Sequence, residues 1–215
     1  LAPEGLVDVL GTGHDAPAQD RCLSCHNGEP GRVLGISALQ LGAALPSGTS
    51  GVDLARLAAD GLLSAPPAGP IDGPPGDAAT AAALGYLHAN CGHCHNPRGA
   101  AWPDTQMLLR VAVEEADAPG TGLYQSVVGQ RLQYFRDESG ELTLRVDPGN
   151  PGSSGLVARM AVRGPMEQMP PLATETVDDL RTLVNMAAAR RFTPLIDRCL
   201  PLEEIVAAHA RVDSG

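Results

Sequence analysis

Two five-residue stretches of this chain carry thiols and an imidazole at fixed spacing, CLSCH at residues 22–26 and CGHCH at residues 91–95. Three chemistries use such residues. A C-x-x-C pair can be the dithiol of a disulfide oxidoreductase, whose first thiolate attacks a substrate disulfide. Cys22, Cys25, Cys91 and Cys94 together could make a four-thiolate zinc site. Read as C-x-x-C-H, each stretch is an attachment sequence for covalently bound haem: the two thiols add to the two vinyl groups of one porphyrin, and the next histidine ligates the iron.

The residue after each pair decides between them. The chain has six His in 215 residues, so finding one directly behind both C-x-x-C pairs by chance is improbable. A dithiol would also need an apolar strand leading into it, whereas the residues before Cys91 read DAATAAALGYLHAN, Ala-rich and helical in character. The four-thiolate zinc site leaves His26 and His95 without a role. The sequence therefore predicts two covalent haem c groups, held by Cys22 with Cys25 and by Cys91 with Cys94, with His26 and His95 as proximal iron ligands.

An electron-transferring haem takes a second axial ligand, commonly Met or His. Downstream of His95, MEQMPPL offers Met166 and Met169, and the two prolines behind Met169 fix the backbone that carries its thioether. Met169 is the expected distal ligand of the second haem. No Met stands between His26 and the second motif, since the first in the chain is Met107. His14 is the expected distal ligand of the first haem, eight residues before Cys22 on a segment long enough to loop round the macrocycle. His88 and His93 reach that haem only if the two motifs pack closely, and His209 is a weaker candidate.

The elements that must position these residues divide the chain. Residues 64–77, SAPPAGPIDGPPGD, hold five Pro and three Gly and read as a linker. It separates a first haem domain, 1–63, from a second, 78–191, with a tail at 192–215. In the first, Ser50 caps a helix through VDLARLAAD that Gly61 terminates. In the second, a helix over 79–90 runs into the motif, Ser153 caps SGLVARMAV, and Thr176 opens VDDLRTLVNMAAARR with Asp178 and Asp179 in its first turn and Arg190 and Arg191 in its last. LLRVAV and GELTLRV, with YQSVVGQRLQYF between them, predict a small β-hairpin insertion. Tyr86 and Trp102 are expected to pack in the core or on a haem edge.

The order AALGYLHANCGHCHNPRG, VDPGNPGSSGLVARM, MPPLATETVDDLRTLV resembles the c-type cytochrome domain of secreted bacterial di-haem proteins, and CLSCHNG followed by VLGISALQLG is similar to the first haem segment of that family. The resemblance covers most of residues 20–186 and implies a mainly α fold, two small cytochrome c-like domains joined by the Pro/Gly-rich linker.

Composition bounds the rest. Aromatic residues make up 3% of the chain, with 25 Gly and 19 Pro, so side chains alone give a thin core and a porphyrin would help fill it. The net charge of -10, with every basic residue an Arg, argues against nucleic acid and anionic membrane surfaces and favours redox protein partners with basic docking surfaces. No run of about 18 apolar residues exists to span a membrane. The chain starts at Leu1 rather than Met, so a processed or truncated N-terminus is expected, any export signal having already gone. Cys199 is left over once four thiols hold haem and is expected to be an inert or surface thiol, with an intermolecular disulfide or an attachment site as the alternative, while the apolar tail and the acidic surface suggest docking on a larger membrane-associated complex. The expected function is a periplasmic or extracellular carrier of single electrons. The alternative is a di-haem enzyme, a peroxidase or an oxidoreductase of small inorganic substrates, with an open distal face at the first haem.

Overall fold

The computed structural model describes residues 3–11, 13–42, 51–136, 142–163 and 168–172. Seven short helices lie among them: α1 Cys22–His26, α2 Ala38–Gly42, α3 Leu54–Ala59, α4 Ala78–Asn90, α5 Trp102–Thr105, α6 Gly122–Val127 and α7 Gly155–Ala161. One antiparallel pair, β1 Arg131–Arg136 and β2 Leu142–Leu144, completes the regular structure.

The longest helix, α4, starts where Asp77 accepts a hydrogen bond from Thr80 N, at 2.8 Å, and Ala at six of its thirteen positions favours the helix without adding bulk. Its large apolar residues are few but well placed. Leu84 and Leu87 are one turn apart and buried, and Cys91, one further turn on, packs against the same cluster. The stripe that fixes the helix therefore continues into the first cysteine of the second motif. Around it gather Leu109, Val111, Ala118, Leu123 and Val127 from the following segments; each buried Leu or Val contributes about 1.5–3 kcal/mol. Leu39 of α2 belongs to this cluster and Ile71 packs on it, so residues before and within the 64–77 segment share a core with those after it.

The hairpin is present, its second strand inside the expected GELTLRV but its first strand different from the one expected. Its first strand is RLQYFR, residues 131–136, and YQSVVG before it is largely α6. Residues 108–113 form no strand because side chains take their amides: Leu108 N donates to Ser126 Oγ at 3.0 Å, Val111 N to His88 Nδ1 at 3.1 Å, and Ala112 N to Glu115 Oε2 at 2.6 Å. Backbone groups satisfied this way have no ladder to offer. Two caps also move. Asp53, not Ser50, caps α3 by accepting from Arg56 N at 2.7 Å, while Gly61, at φ +69, ends the turn as expected. Ser153 lies in a 3-10 turn before α7 and its hydroxyl bonds Asp147 instead. The predicted helix at 177–191, the tail, Ser50, Met166, Cys199 and His209 lie outside the described residues.

Candidate functional site

The second motif is built as the continuation of α4. Cys91 N and Gly92 N both donate to Leu87 O, and Cys94 N and His95 N both donate to Cys91 O, so the chain turns tightly through all five residues. Asn96, 4% exposed, holds this turn from inside: its Nδ2 donates to Gly92 O at 2.7 Å and His93 O at 3.0 Å, and its Oδ1 accepts from Arg98 N. The first motif is α1 itself, with Cys22 exposed and Cys25 and His26 half-buried.

The two motifs touch. Cys25, His93 and Cys94 place their Sγ and ring-nitrogen atoms all within 4.8 Å of one another, and the Cys94 thiol lies 3.3 Å from Ser24 O. Gly28 makes the approach possible, since a Cβ there would stand 1.6 Å from His93 O. An ion pair between Glu29 and Arg110 clamps the seam, and Arg110 Nε also donates to Gly92 O at 3.1 Å. His88 bridges it again. Its Nδ1 accepts from Val111 N, so its proton is on Nε2 and is shared with Ser37 Oγ at 3.0 Å. Both nitrogens of His88 are occupied, which removes it from the set of axial-ligand candidates.

Electrostatics at the seam follow from these contacts. Hydrogen bonds from Cys94 first and His93 second lower the Cys25 thiol from 9.0 to about 4, against the opposing effect of burial. The Cys94 thiol moves upward, because a thiolate on Cys25 and its own burial both disfavour a second negative charge.

His95 is 6% exposed. Burial first, then the charges of Arg159 and Arg145, lower it from 6.5 to about 4, which keeps the imidazole neutral at pH 7. Its Nδ1 lies 3.4 Å from Thr105 Oγ1, a hydroxyl that donates its own proton to Ala101 O at 2.7 Å and therefore accepts from the ring. His26 is arranged likewise, with Nδ1 2.7 Å from Arg32 O. A carbonyl only accepts. In both histidines the proton is thus on Nδ1 and the lone pair on Nε2, the tautomer that a metal-ligating imidazole adopts. No disulfide joins Cys22, Cys25, Cys91 and Cys94. Thiols not joined to one another and two Nε2 lone pairs are the donor set that covalent haem requires, and the residues fit it.

Met169 N donates to Arg159 O at 2.9 Å, tying the Met-Pro segment to α7, the helix whose Arg159 charge acts on His95. His14 is exposed in the bend of a small antiparallel loop closed by Leu6 and Ala16, and its carbonyl accepts from Val9 N at 2.9 Å. Sequence reasoning missed the residues that orient the site: Thr105, Asn96, Gly28, and the buried Arg145, which donates to Thr105 O at 2.5 Å and Ser126 O at 2.7 Å. The Asn directly behind His95 was the one available signal.

No helix among the described residues is long and apolar enough to cross a membrane. Compared with known proteins, the chain matches no family model, no curated protein and no solved structure.

Proposed function

We propose that the chain is a di-haem c-type electron carrier working outside the cytoplasm. Cys22 and Cys25 hold one haem and Cys91 and Cys94 the other. His26 and His95 give their Nε2 lone pairs to the irons, Met169 is the sixth ligand at the second site, and His14 is the candidate at the first. Bound there, the haems supply a ferric–ferrous couple for single electrons. The chain's own part is to fix the ligands. Arg32 O and Thr105 Oγ1 set the tautomer and ring orientation of the two histidines, burial keeps His95 neutral, and contact between the motifs makes the two centres neighbours. The acidic chain suits redox partners with basic surfaces, including a larger membrane-associated complex.

The observation that carries this reading is the repeated arrangement itself, two C-x-x-C-H segments whose histidines both keep Nδ1 engaged with an acceptor. The test is export of the full chain through a bacterial c-type maturation system. Two haems per chain by pyridine haemochrome and mass, with a reduced α-band near about 550 nm, are expected for thioether-linked haem; a colourless exported chain rejects the proposal. Met169→His should lower the potential of one centre, because Met ligation raises it relative to His, and an unchanged redox titration removes Met169. Exposure of His14 on a surface loop favours one second reading, an enzyme with an open first site. Carbon monoxide binding by the reduced wild type supports that reading, and its absence supports the carrier.

A further inference from the structure

We infer that Cys25, His93 and Cys94 form a metal site of their own, for a thiophilic divalent cation such as Zn2+, in the chain whose thiols have not yet been joined to porphyrin. The site goes beyond the electron-carrier reading and does not depend on it. Its three donors are two sulfurs and one imidazole nitrogen, all within 4.8 Å of one another. In a tetrahedral zinc site with Zn–S near 2.3 Å, two sulfurs stand about 3.8 Å apart, so the cluster closes on a cation by moving about 1 Å. Two thiolates, one imidazole and a water in the fourth position make a familiar open coordination set for zinc.

The placement of the donors gives the site a consequence. Cys25 comes from α1 and the other two from the turn behind α4, so a bound cation would cross-link segments that Gly28 already allows to touch and the Glu29–Arg110 pair already clamps. Cys22 is exposed and lies outside the three-donor group, which sets this site apart from one made of all four thiols. Binding takes Cys25 and Cys94 as thiolates and His93 as its neutral imidazole, and the protons displaced go to solvent; no electron is transferred. A sulfur bonded to a porphyrin carbon is an uncharged thioether, so metal occupancy and haem attachment at Cys25 and Cys94 exclude one another.

The test is a titration of the full-length, reduced, haem-free chain, produced in a cytoplasm without haem attachment, with Co2+ followed by Zn2+. One equivalent of Co2+ should give a thiolate-to-cobalt charge-transfer band that Zn2+ abolishes. Cys25→Ser and Cys94→Ser should weaken binding at least about 100-fold, more than loss of an outer hydrogen-bond partner costs, and His93→Ala at least about 10-fold. Cys22→Ser and Cys91→Ser should leave it within about twofold. Gly28→Ala, which keeps every donor, should also weaken binding by pushing the segments apart, with circular dichroism reporting that each variant retains its helices. No stoichiometric band, indifference to His93→Ala, or equal loss in Cys22→Ser and Cys25→Ser overturns the site. A chain that binds Co2+ this way yet never acquires haem on export would sink the carrier proposal alone, and the reverse result the metal site alone.

Discussion

The two C-x-x-C-H segments share a pattern and differ in nearly everything around it. The first is a five-residue helix with no fully buried residue, whose histidine bonds one loop carbonyl. The second ends a thirteen-residue helix, is turned around a buried Asn, and carries a histidine 6% exposed with a hydroxyl partner and two arginine charges near it. Spacing of the Cys and His residues is thus something the sequence states outright, while the environment around them comes from residues far along the chain. The contrast predicts that equivalent changes in the two segments will have unequal effects.

The largest difference should come from His95→Ala against His26→Ala in the haem-free chain. Removing His95 empties a buried site and strips Thr105 of a partner, at a cost of about 3 kcal/mol, whereas His26→Ala exposes little and should cost less than about 1 kcal/mol. Urea unfolding of both variants measures this, and equal losses would break the comparison.

Acid should act through the same residue. His95 titrates at about 4 when folded and 6.5 in its ordinary state. Below 6.5 the unfolded chain takes up a proton that the folded chain refuses, so the neutral buried imidazole favours folding fully above that pH and the advantage is lost as pH falls toward 4. The loss amounts to about 3 kcal/mol across that window. His95→Gln should flatten the pH dependence of stability between 6.5 and 4; a slope unchanged from wild type would mean that His95 is not the buried neutral group.

The seam offers smaller tests. Arg110→Ala leaves Glu29 without its cation and frees Gly92 O, and should cost about 2 kcal/mol, the range for a hydrogen bond to a charged group. Cys25, at about 4 beside Cys94 and His93, should be alkylated at a rate that hardly rises between pH 6 and 8, while Cys94, shifted the other way, lags behind it. Peptide mapping of the labelled, haem-free chain resolves the two thiols.

Much of the local architecture was legible. The helix expected over 79–90 and its run into the second motif follow from an Ala-rich stretch with Leu84 and Leu87 one turn apart, though its Asp77 cap was not read, and Gly61 behaved as a terminator because only a residue without a side chain takes φ +69 easily. The strand at 108–113 misled because its apolar alternation is real but serves the core, with Leu109 and Val111 buried and the amides of Leu108, Val111 and Ala112 taken by Ser126, His88 and Glu115. Periodicity reports which face is buried, not what the backbone bonds to. Contact between the motifs was not legible at all: it depends on Gly28 meeting His93 across 65 residues of chain, and no local pattern encodes such a pairing.

The smallest effect is expected where that contact is most indirect. Ser37 lies between the first motif and α2, and its hydroxyl meets His88 Nε2 on α4, 3.0 Å away, while Gln40 N donates to the same oxygen at 3.3 Å. Ser37→Ala deletes one neutral hydrogen bond and leaves the half-buried His88 proton to find water, at a cost of about 1 kcal/mol. If the two segments are held together mainly by Gly28 and the Glu29–Arg110 clamp, this variant should unfold slightly earlier yet keep the difference in alkylation between Cys25 and Cys94. Loss of that difference would instead make the Ser37–His88 bond the contact that aligns the two motifs, and would move the organising point of the seam from α1 to α2.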